Sequence, residues 1–176
     1  MKNLTFLALG MILFFFAQAC QDNHGKNYND TTKVDSVGRN FIKTAIEGGL
    51  TEIKASGLAI TNSNNQQVIG LAKMMINDHT NADSALKKME TTKLADSTDT
   101  ISGAHQQLIT TLSKQKGAAF DKAYLAMMVA DHQAAFDLFT NAGKSTDADV
   151  DKFAAATSRT IKMHLDSAKA VFATLK

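Results

Sequence analysis

The chain of 176 residues contains no proline, no tryptophan, one cysteine and only three glutamates, at positions 47, 52 and 90. Without proline nothing obliges a helix to break, and the many alanines and eight methionines favour helices. A single cysteine excludes a framework of disulfides within the chain. The formal net charge of +2 provides no strongly basic surface, so we expect no nucleic-acid partner.

The common catalytic motifs are also missing. The sequence has no Gly-x-Ser-x-Gly elbow, no phosphate-binding glycine loop, no Cys-x-x-Cys pair and no His-Glu-x-x-His motif. We therefore predict no catalytic residues and a protein that is not an enzyme.

The N-terminus has the pattern of an export signal. A lysine precedes an apolar run over residues 4–17, which is shorter than the roughly 20 residues that span a membrane. The only cysteine, Cys20, follows directly, as the lipid-bearing cysteine does in bacterial lipoproteins. We predict that residues 1–20 are a lipoprotein-type signal peptide, that Cys20 carries a lipid anchor to a membrane, and that residues 21–33 are a polar tether. The predicted location is the cell envelope, facing the periplasm or at the outer membrane; the alternative is simple cleavage before the cysteine and a secreted chain.

From residue 34 onward, apolar residues recur at alternating intervals of three and four, as in helices packed side by side. We predict four long helices and one short helix, at about 34–61, from 66 to about 89, about 101–114 (the short one), about 118–142, and from about 147 to the C-terminus. The long connection around the short helix could cross the bundle and make the second and third long helices parallel. The predicted fold class is therefore all-α, a ferritin-like four-helix bundle with an additional short crossover helix, over residues 34–176. A plain up-and-down bundle with the short helix outside is the alternative.

Three local features carry further predictions. Gly48 and Gly49 lower the helix propensity of the first helix by about 1 kcal/mol each, for which the close approach of a neighbouring helix would compensate. Gly143 is expected to end the third long helix in a left-handed conformation. Thr146 with Asp149 resembles a capping box at the start of the last helix.

A short phrase, Met-Met-aliphatic-x-Asp-His, occurs twice, over residues 74–79 and 127–132. Two copies in one small helical domain suggest that two helices present the same groups to one centre. The final histidine of each copy lies on the apolar seam of its helix.

Each long helix has one such polar residue on its seam, and together these are Glu52, His79, His132 and His164. An ionised glutamate without a partner in a protein core costs several kcal/mol, so we expect the four side chains to meet. Counting residues from the turns places Glu52 and His79 within roughly 3 to 5 Å of one level, and gives His132 and His164 an offset in level of roughly 10 Å if both helices are straight.

Two interpretations explain this set. In the first, the four side chains bind one transition-metal ion, which would be zinc, iron or copper. In the second, they form a metal-free network through hydrogen bonds and protonation. The Glu-x-x-His phrase of di-iron proteins is absent, so ferroxidase chemistry is not expected. Three methionines are near the histidines in sequence, namely Met75, Met128 and Met163. As thioether ligands they would favour copper; the alternative is that they only fill the core.

Three further residues are candidates for supporting roles. Asp78 and Asp131, each beside a seam histidine, could orient a histidine of another helix or pair with a cation at a helix boundary. Tyr124 could donate a hydrogen bond to a buried carboxylate or hold its hydroxyl at the rim of the core.

The sequence resembles the domain-of-unknown-function 4142 family. The resemblance covers residues 34–175 and is carried by EGGLTEIKASGLA, VIGLAKMMINDHTNADSAL, AFDKAYLAMMVADHQAAFDLF and KFAAATSRTIKMHLDSAK, in which the two Asp-His phrases are the most specific part. It implies a ferritin-like helical bundle in a secreted or membrane-associated bacterial protein. The family pattern maps onto Glu52, His79, His132 and His164, and the family has no established activity.

The expected protein is therefore an envelope-anchored ferritin-like bundle that binds one transition-metal ion in its core, for storage, buffering or stress protection. The alternative is a metal-free structural or interaction module of the envelope with a polar histidine and glutamate core. A third reading, a metal-dependent oxidoreductase, would need an open coordination position on the metal.

Overall fold

The computed structural model describes residues 33–95 and 99–175, and within these ranges the chain is all-α. Five helices follow one another, α1 (Ser36–Asn62), α2 (Gln66–Thr92), α3 (Gly103–Ser113), α4 (Gly117–Ala142) and α5 (Ala148–Ala173). The predicted signal peptide, Cys20 and nearly all of the predicted tether lie outside the described residues. Within the described part, no helix has both the length and the apolar character that crossing a membrane requires.

Side-chain caps explain where most of the helices begin. Asp35, Asn65, Ser102 and Asp147 each accept a hydrogen bond from a backbone N–H group in the first turn of the helix that follows. No side chain caps α4, which starts at Gly117 with a φ of +56°, a left-handed conformation that favours glycine. Cap chemistry thus places the helix starts close to the positions predicted from the spacing of apolar residues.

Two predictions for the link between α4 and α5 are wrong. Gly143 is right-handed, with a φ of −62°, because the chain leaves α4 through consecutive i to i+3 hydrogen bonds and needs no left-handed residue there. Asp147, rather than Thr146, caps α5. Thr146 instead donates hydrogen bonds from its backbone N–H and its hydroxyl to Asp35 Oδ2, at 2.6 and 2.8 Å. The link is therefore fastened to the start of α1.

The four long helices contact one another in cyclic order, α1 with α2, α2 with α5, α5 with α4, and α4 with α1, and α3 packs on α1 and α4. They enclose two clusters of buried apolar residues. The first cluster includes Ala55, Ala59, Val68, Met75, Tyr124, Met128 and Ala168, and the second includes Phe41, Ile46, Leu86, Phe139, Ala154 and Ile161. Both α2 and α4 run from the first cluster to the second, whereas α1 and α5 run the other way. On every long helix, the seam glutamate or histidine falls between the two clusters.

We predict that Asp35 contributes to stability through its ionised form. Its Oδ1 accepts hydrogen bonds from Gly38 N at 2.7 Å and Ser145 Oγ at 3.0 Å. The backbone N–H groups of Gly38 and Thr146 lower the pKa of the Asp35 carboxyl from 3.8 to about 2. Asp35→Ala should therefore lower the free energy of unfolding at pH 7 by about 1 kcal/mol, as loss of a helix cap does. Urea unfolding measures this change.

The sign of the pH dependence follows from the lowered pKa. The contribution of the carboxylate is fully present above about pH 4 and is lost as the pH falls toward 2, so parent and Asp35→Ala should converge over that range. Asn65→Ala, which removes the cap of α2 without removing a titrating group, should differ from the parent by a constant amount. An Asp35→Ala difference that stays unchanged down to pH 2 would contradict this prediction.

Candidate metal centre

Glu52, His79, His132 and His164 meet in the interior, between the two apolar clusters, and none is more than 8 % exposed. One nitrogen from each of the three imidazoles lies within 4.8 Å of the corresponding nitrogens of the other two. The ring centroids of each pair of histidines lie 5.2 to 5.4 Å apart. The structure thus brings together all four residues predicted from the seams of the helices.

The offset in level of roughly 10 Å predicted for His132 and His164 does not keep their side chains apart, since His132 Nε2 lies 3.2 Å from His164 Nδ1. His132 precedes the end of α4 by ten residues, and His164 follows the start of α5 by sixteen. That difference of six residues corresponds to about 9 Å along straight helices. However, helical side chains lean toward the N-terminus of their own helix. In an antiparallel pair this lean carries His132 away from the link and His164 toward it, which closes the gap.

A continuous series of polar contacts crosses the centre. Asp78 Oδ2 lies 2.9 Å from His164 Nε2, and His164 Nδ1 lies 3.2 Å from His132 Nε2. His132 Nδ1 then lies 3.0 Å from the carbonyl oxygen of Met128 and 3.1 Å from Glu52 Oε1. Both ends of the histidine pair therefore face hydrogen-bond acceptors.

Glu52 contacts the third histidine with its other oxygen. Glu52 Oε2 lies 2.9 Å from His79 Nε2, but this nitrogen has no hydrogen-bond partner of acceptable geometry. The pair is therefore held by charge rather than by a directed hydrogen bond. Glu52 thus lies between His79 and His132.

The charges of the centre follow from burial and from these contacts. Burial lowers the pKa of both His132 and His164, which favours their neutral forms. Burial by itself would raise the pKa of Glu52, but the neighbouring histidines, His79 most of all, outweigh it, and the net pKa is lowered. Burial would likewise lower the pKa of His79, but the attraction of Glu52 raises it overall. The contact between Glu52 and His79 thus favours a charged pair, and burial favours the neutral forms of His132 and His164.

Two neutral imidazoles cannot satisfy all the contacts of their nitrogens. The outer nitrogens, His164 Nε2 and His132 Nδ1, face only acceptors and must each carry a hydrogen. The inner nitrogens, His132 Nε2 and His164 Nδ1, are then left with opposed lone pairs 3.2 Å apart. Only a proton or a metal ion between them relieves this arrangement. Two nitrogens bound to one tetrahedral zinc at 2.0 to 2.1 Å would lie about 3.3 Å apart, close to the distance found here.

The predicted supporting residues have different surroundings. Asp78 reaches across from α2 to His164 on α5, as expected for an aspartate that orients another helix's histidine. Asp131 accepts no hydrogen bond from the seam histidines, and its Oδ2 is buried without a partner. Burial and the charge of Glu52 raise the pKa of Asp131 to about 6. The buried Tyr124 hydroxyl pairs at 2.9 Å with Ser56 Oγ rather than with a carboxylate, and burial raises its pKa.

The methionines do not form one group around the histidines. Met75 and Met128 are completely buried in the first apolar cluster, whereas Met163 is 45 % exposed. Met128 contributes its backbone carbonyl oxygen to the centre, as an acceptor for His132. The geometry therefore places Met163 outside any site that the three histidines form.

A cavity of about 170 Å³ adjoins the centre. Glu52 and His79 line it, together with mostly apolar or small side chains, while His132 and His164 do not. Gly48 and Gly49 also line it. A Cβ atom at Gly48 would meet nothing within 4 Å, and one at Gly49 would meet only His79 Nδ1 at 3.9 Å. The close helix approach predicted for these glycines is therefore wrong, because the space they leave belongs to the cavity.

A contact between a histidine and a glutamate at the side of this cavity was not predicted from the sequence. His105 Nδ1 on α3 lies 2.7 Å from Glu47 Oε1 on α1, and Ser102 N donates to the same oxygen at 2.8 Å. The pair fastens α3 to α1. The scarcity of glutamate in this chain draws attention to Glu47. Its partner, His105, is shown only by the placement of α3.

Comparison with known proteins supports the fold. The crystal structure of a DUF305 fragment from Deinococcus radiodurans is similar, with a TM-score of 0.72 and 14% sequence identity, over 81% of this chain and 99% of that chain. At that identity the likeness concerns the fold alone. No functionally curated protein matches the sequence.

A family profile matches most of the chain. The profile described as Domain of unknown function (DUF4142) matches residues 16–171, which include all five helices except the last two residues of α5. This match confirms the resemblance that the two Asp-His phrases and their surroundings predicted. The chain belongs to the DUF4142 family.

Proposed function

We propose that this protein binds one transition-metal ion in its core through His79, His132, His164 and Glu52. The observation that carries the proposal is the pair of inner nitrogens, His132 Nε2 and His164 Nδ1, 3.2 Å apart. The outer nitrogens of the two histidines face acceptors and carry the hydrogens. The lone pairs of the inner nitrogens therefore point toward each other, and a cation is the partner that both can share. His79 brings a third imidazole within 4.8 Å of the same place.

The charge of Glu52 supports a cation rather than a neutral ligand at this place. Its carboxylate is buried and contacts two of the three histidines, at 2.9 and 3.1 Å. When a divalent ion binds three neutral imidazoles, it brings two positive charges into the core, and Glu52 supplies compensation as a fourth ligand or as an adjacent charge. Asp78 then holds His164 in the tautomer that leaves Nδ1 free for the ion.

A single zinc, iron or copper ion suits this donor set. We propose that the domain is a ferritin-like bundle anchored to the cell envelope through a lipid on Cys20. Its role would be to store or buffer the ion, or to protect against metal stress, on the periplasmic side. No protein or nucleic-acid partner is part of this proposal.

Elemental analysis of the full chain, purified in detergent without a histidine tag, tests the proposal. We expect about one metal ion per chain in the parent, and less than a tenth of that in His132→Ala and His164→Ala, each of which removes one inner nitrogen. His105→Ala removes a histidine outside the three-histidine cluster and should keep the parent's metal content. A parent that binds no metal after incubation with zinc, copper and iron would refute metal binding.

The two Asp-His phrases provide a matched pair of variants for the role of Asp78. Asp78→Asn should weaken metal affinity by about 10- to 100-fold, because it removes the carboxylate that orients His164. Asp131→Asn changes the equivalent aspartate of the second phrase, which accepts no hydrogen bond from the seam histidines, and should leave metal affinity within about twofold of the parent. Competition titration against a chromogenic chelator measures both. Equal losses in the two variants would contradict the role of Asp78.

The continuous contacts from Asp78 to His79 also support the alternative, a metal-free module. One additional proton on the histidine pair would complete every contact of its nitrogens, and the network would then fix the register of the four long helices without an ion. In that case the melting temperature would be the same with chelator and with added metal, whereas a metal-binding core should melt at a higher temperature when loaded.

A further inference from the structure

The cavity of about 170 Å³ beside Glu52 and His79 is not used by the metal site described above. It adjoins the centre at Glu52 and His79, whereas the buried His132 and His164 do not line it. Glu47 and His105 also line it, and their side chains are 18 % and 27 % exposed. The cavity therefore extends from partly exposed side chains to the buried contact between Glu52 and His79.

The walls of the cavity keep it open with small residues from three helices. Gly48 and Gly49 on α1, Ala82 on α2, and Ala134 and Ala135 on α4 all line it. The two glycines weaken α1 by about 1 kcal/mol each relative to alanine. No neighbouring atom lies within 4 Å of a Cβ placed at Gly48, so packing does not require glycine there. The small residues are explained if a ligand occupies the cavity.

Polar groups of the lining indicate what the cavity would hold. Asp83 Oδ1 and Asp131 Oδ2 are buried and have no hydrogen-bond partner, and both residues line the cavity. They are acceptors that a ligand with an N–H or O–H group would satisfy. Lys87 is already engaged by Asp83, since it lies 3.0 Å from Asp83 Oδ2, and the cavity is lined by the carboxyl groups of Glu47, Glu52, Asp83 and Asp131. A neutral ligand is therefore favoured over an anion.

We infer that this cavity binds a small neutral molecule that carries a hydrogen-bond donor and coordinates the metal ion from the side of Glu52 and His79. The inference rests on the proposed metal site. It adds to that site an accessible coordination position and names the class of molecule that would occupy it. The size is suitable, because a cavity of about 150 Å³ in another protein holds benzene. Three histidines leave a tetrahedral ion one further coordination position. This ligand would either compete with Glu52 for that position or bind beside Glu52, in which case the ion would have five ligands.

Imidazole at pH 8 is a suitable probe, because it is neutral, carries one donor and one coordinating nitrogen, and has five heavy atoms. The full chain is loaded with cobalt(II), and bound cobalt is quantified before and after titration with imidazole while the visible d–d bands are recorded. We expect a saturable spectral change with one imidazole per bound cobalt and no loss of cobalt. 1-Methylimidazole, which lacks the N–H group, should bind about fivefold more weakly, as expected from one lost hydrogen bond.

Gly48→Leu fills the cavity from α1 without replacing a metal ligand. It should retain one cobalt per chain and lose at least 90 % of the spectral change at the imidazole concentration that saturates the parent. Gly57→Leu is the matched control, because Gly57 lies on the exposed face of the same helix and gains the same helix propensity. It should behave as the parent does. Circular dichroism shows whether both variants are folded, and Ala134→Leu replaces Gly48→Leu if the latter is not.

The possible results separate the two proposals. If the parent binds cobalt but gives no saturable change with imidazole, or if the change persists in the cavity-filling variant, the ligand site is refuted and the metal site stands. If 1-methylimidazole binds as tightly as imidazole, the donor-bearing ligand class is refuted. If the parent binds no cobalt, zinc, copper or iron, the metal site is refuted and this inference with it.

Discussion

The carboxylate of Glu52 lies in the middle of the core, and the arrangement around it is governed by the need to compensate its charge. Burial alone would favour the neutral acid, yet His79 and His132 contact its two oxygens and hold its pKa below the ordinary value. Because the compensating groups come from other helices, this one charge fixes the relative levels of α1, α2 and α4. The histidine on α5 joins through His132 and is held from its far side by Asp78. Misalignment of any helix would expose a buried charge to an apolar layer, which is costly.

The polar layer divides the apolar core into two clusters, one on each side. Large buried side chains therefore pack above and below this layer. The same division limits what the centre can do. Among the described residues, the cavity adjoins the centre at Glu52 and His79, while His132 and His164 are buried and do not line it.

Much of the fold and the identity of the central residues could be predicted from the sequence. Spacing of apolar residues at three and four gave five helices with ends within a few residues of those observed, since helix periodicity is a local property. The seams also identified Glu52, His79, His132 and His164, because polar residues stand out where a bundle expects apolar ones. Thr146 was misassigned because it bonds to Asp35, more than a hundred residues away in sequence, rather than to the start of α5.

The sequence by itself determined that the chain is helical, which face of each long helix is buried, and that each buried face carries one residue able to bind a metal. Only the tertiary structure decided which atoms meet. It brought His132 and His164 into contact although they differ in level along the bundle. Each side chain leans toward the N-terminus of its own helix, and in this antiparallel pair the two leans close the gap. It also gave the aspartates of the two similar Asp-His phrases different surroundings. Asp78 contacts a histidine, whereas Asp131 lines the cavity. The physical reason is that periodicity specifies a direction around one helix, whereas a binding site depends on distances between helices.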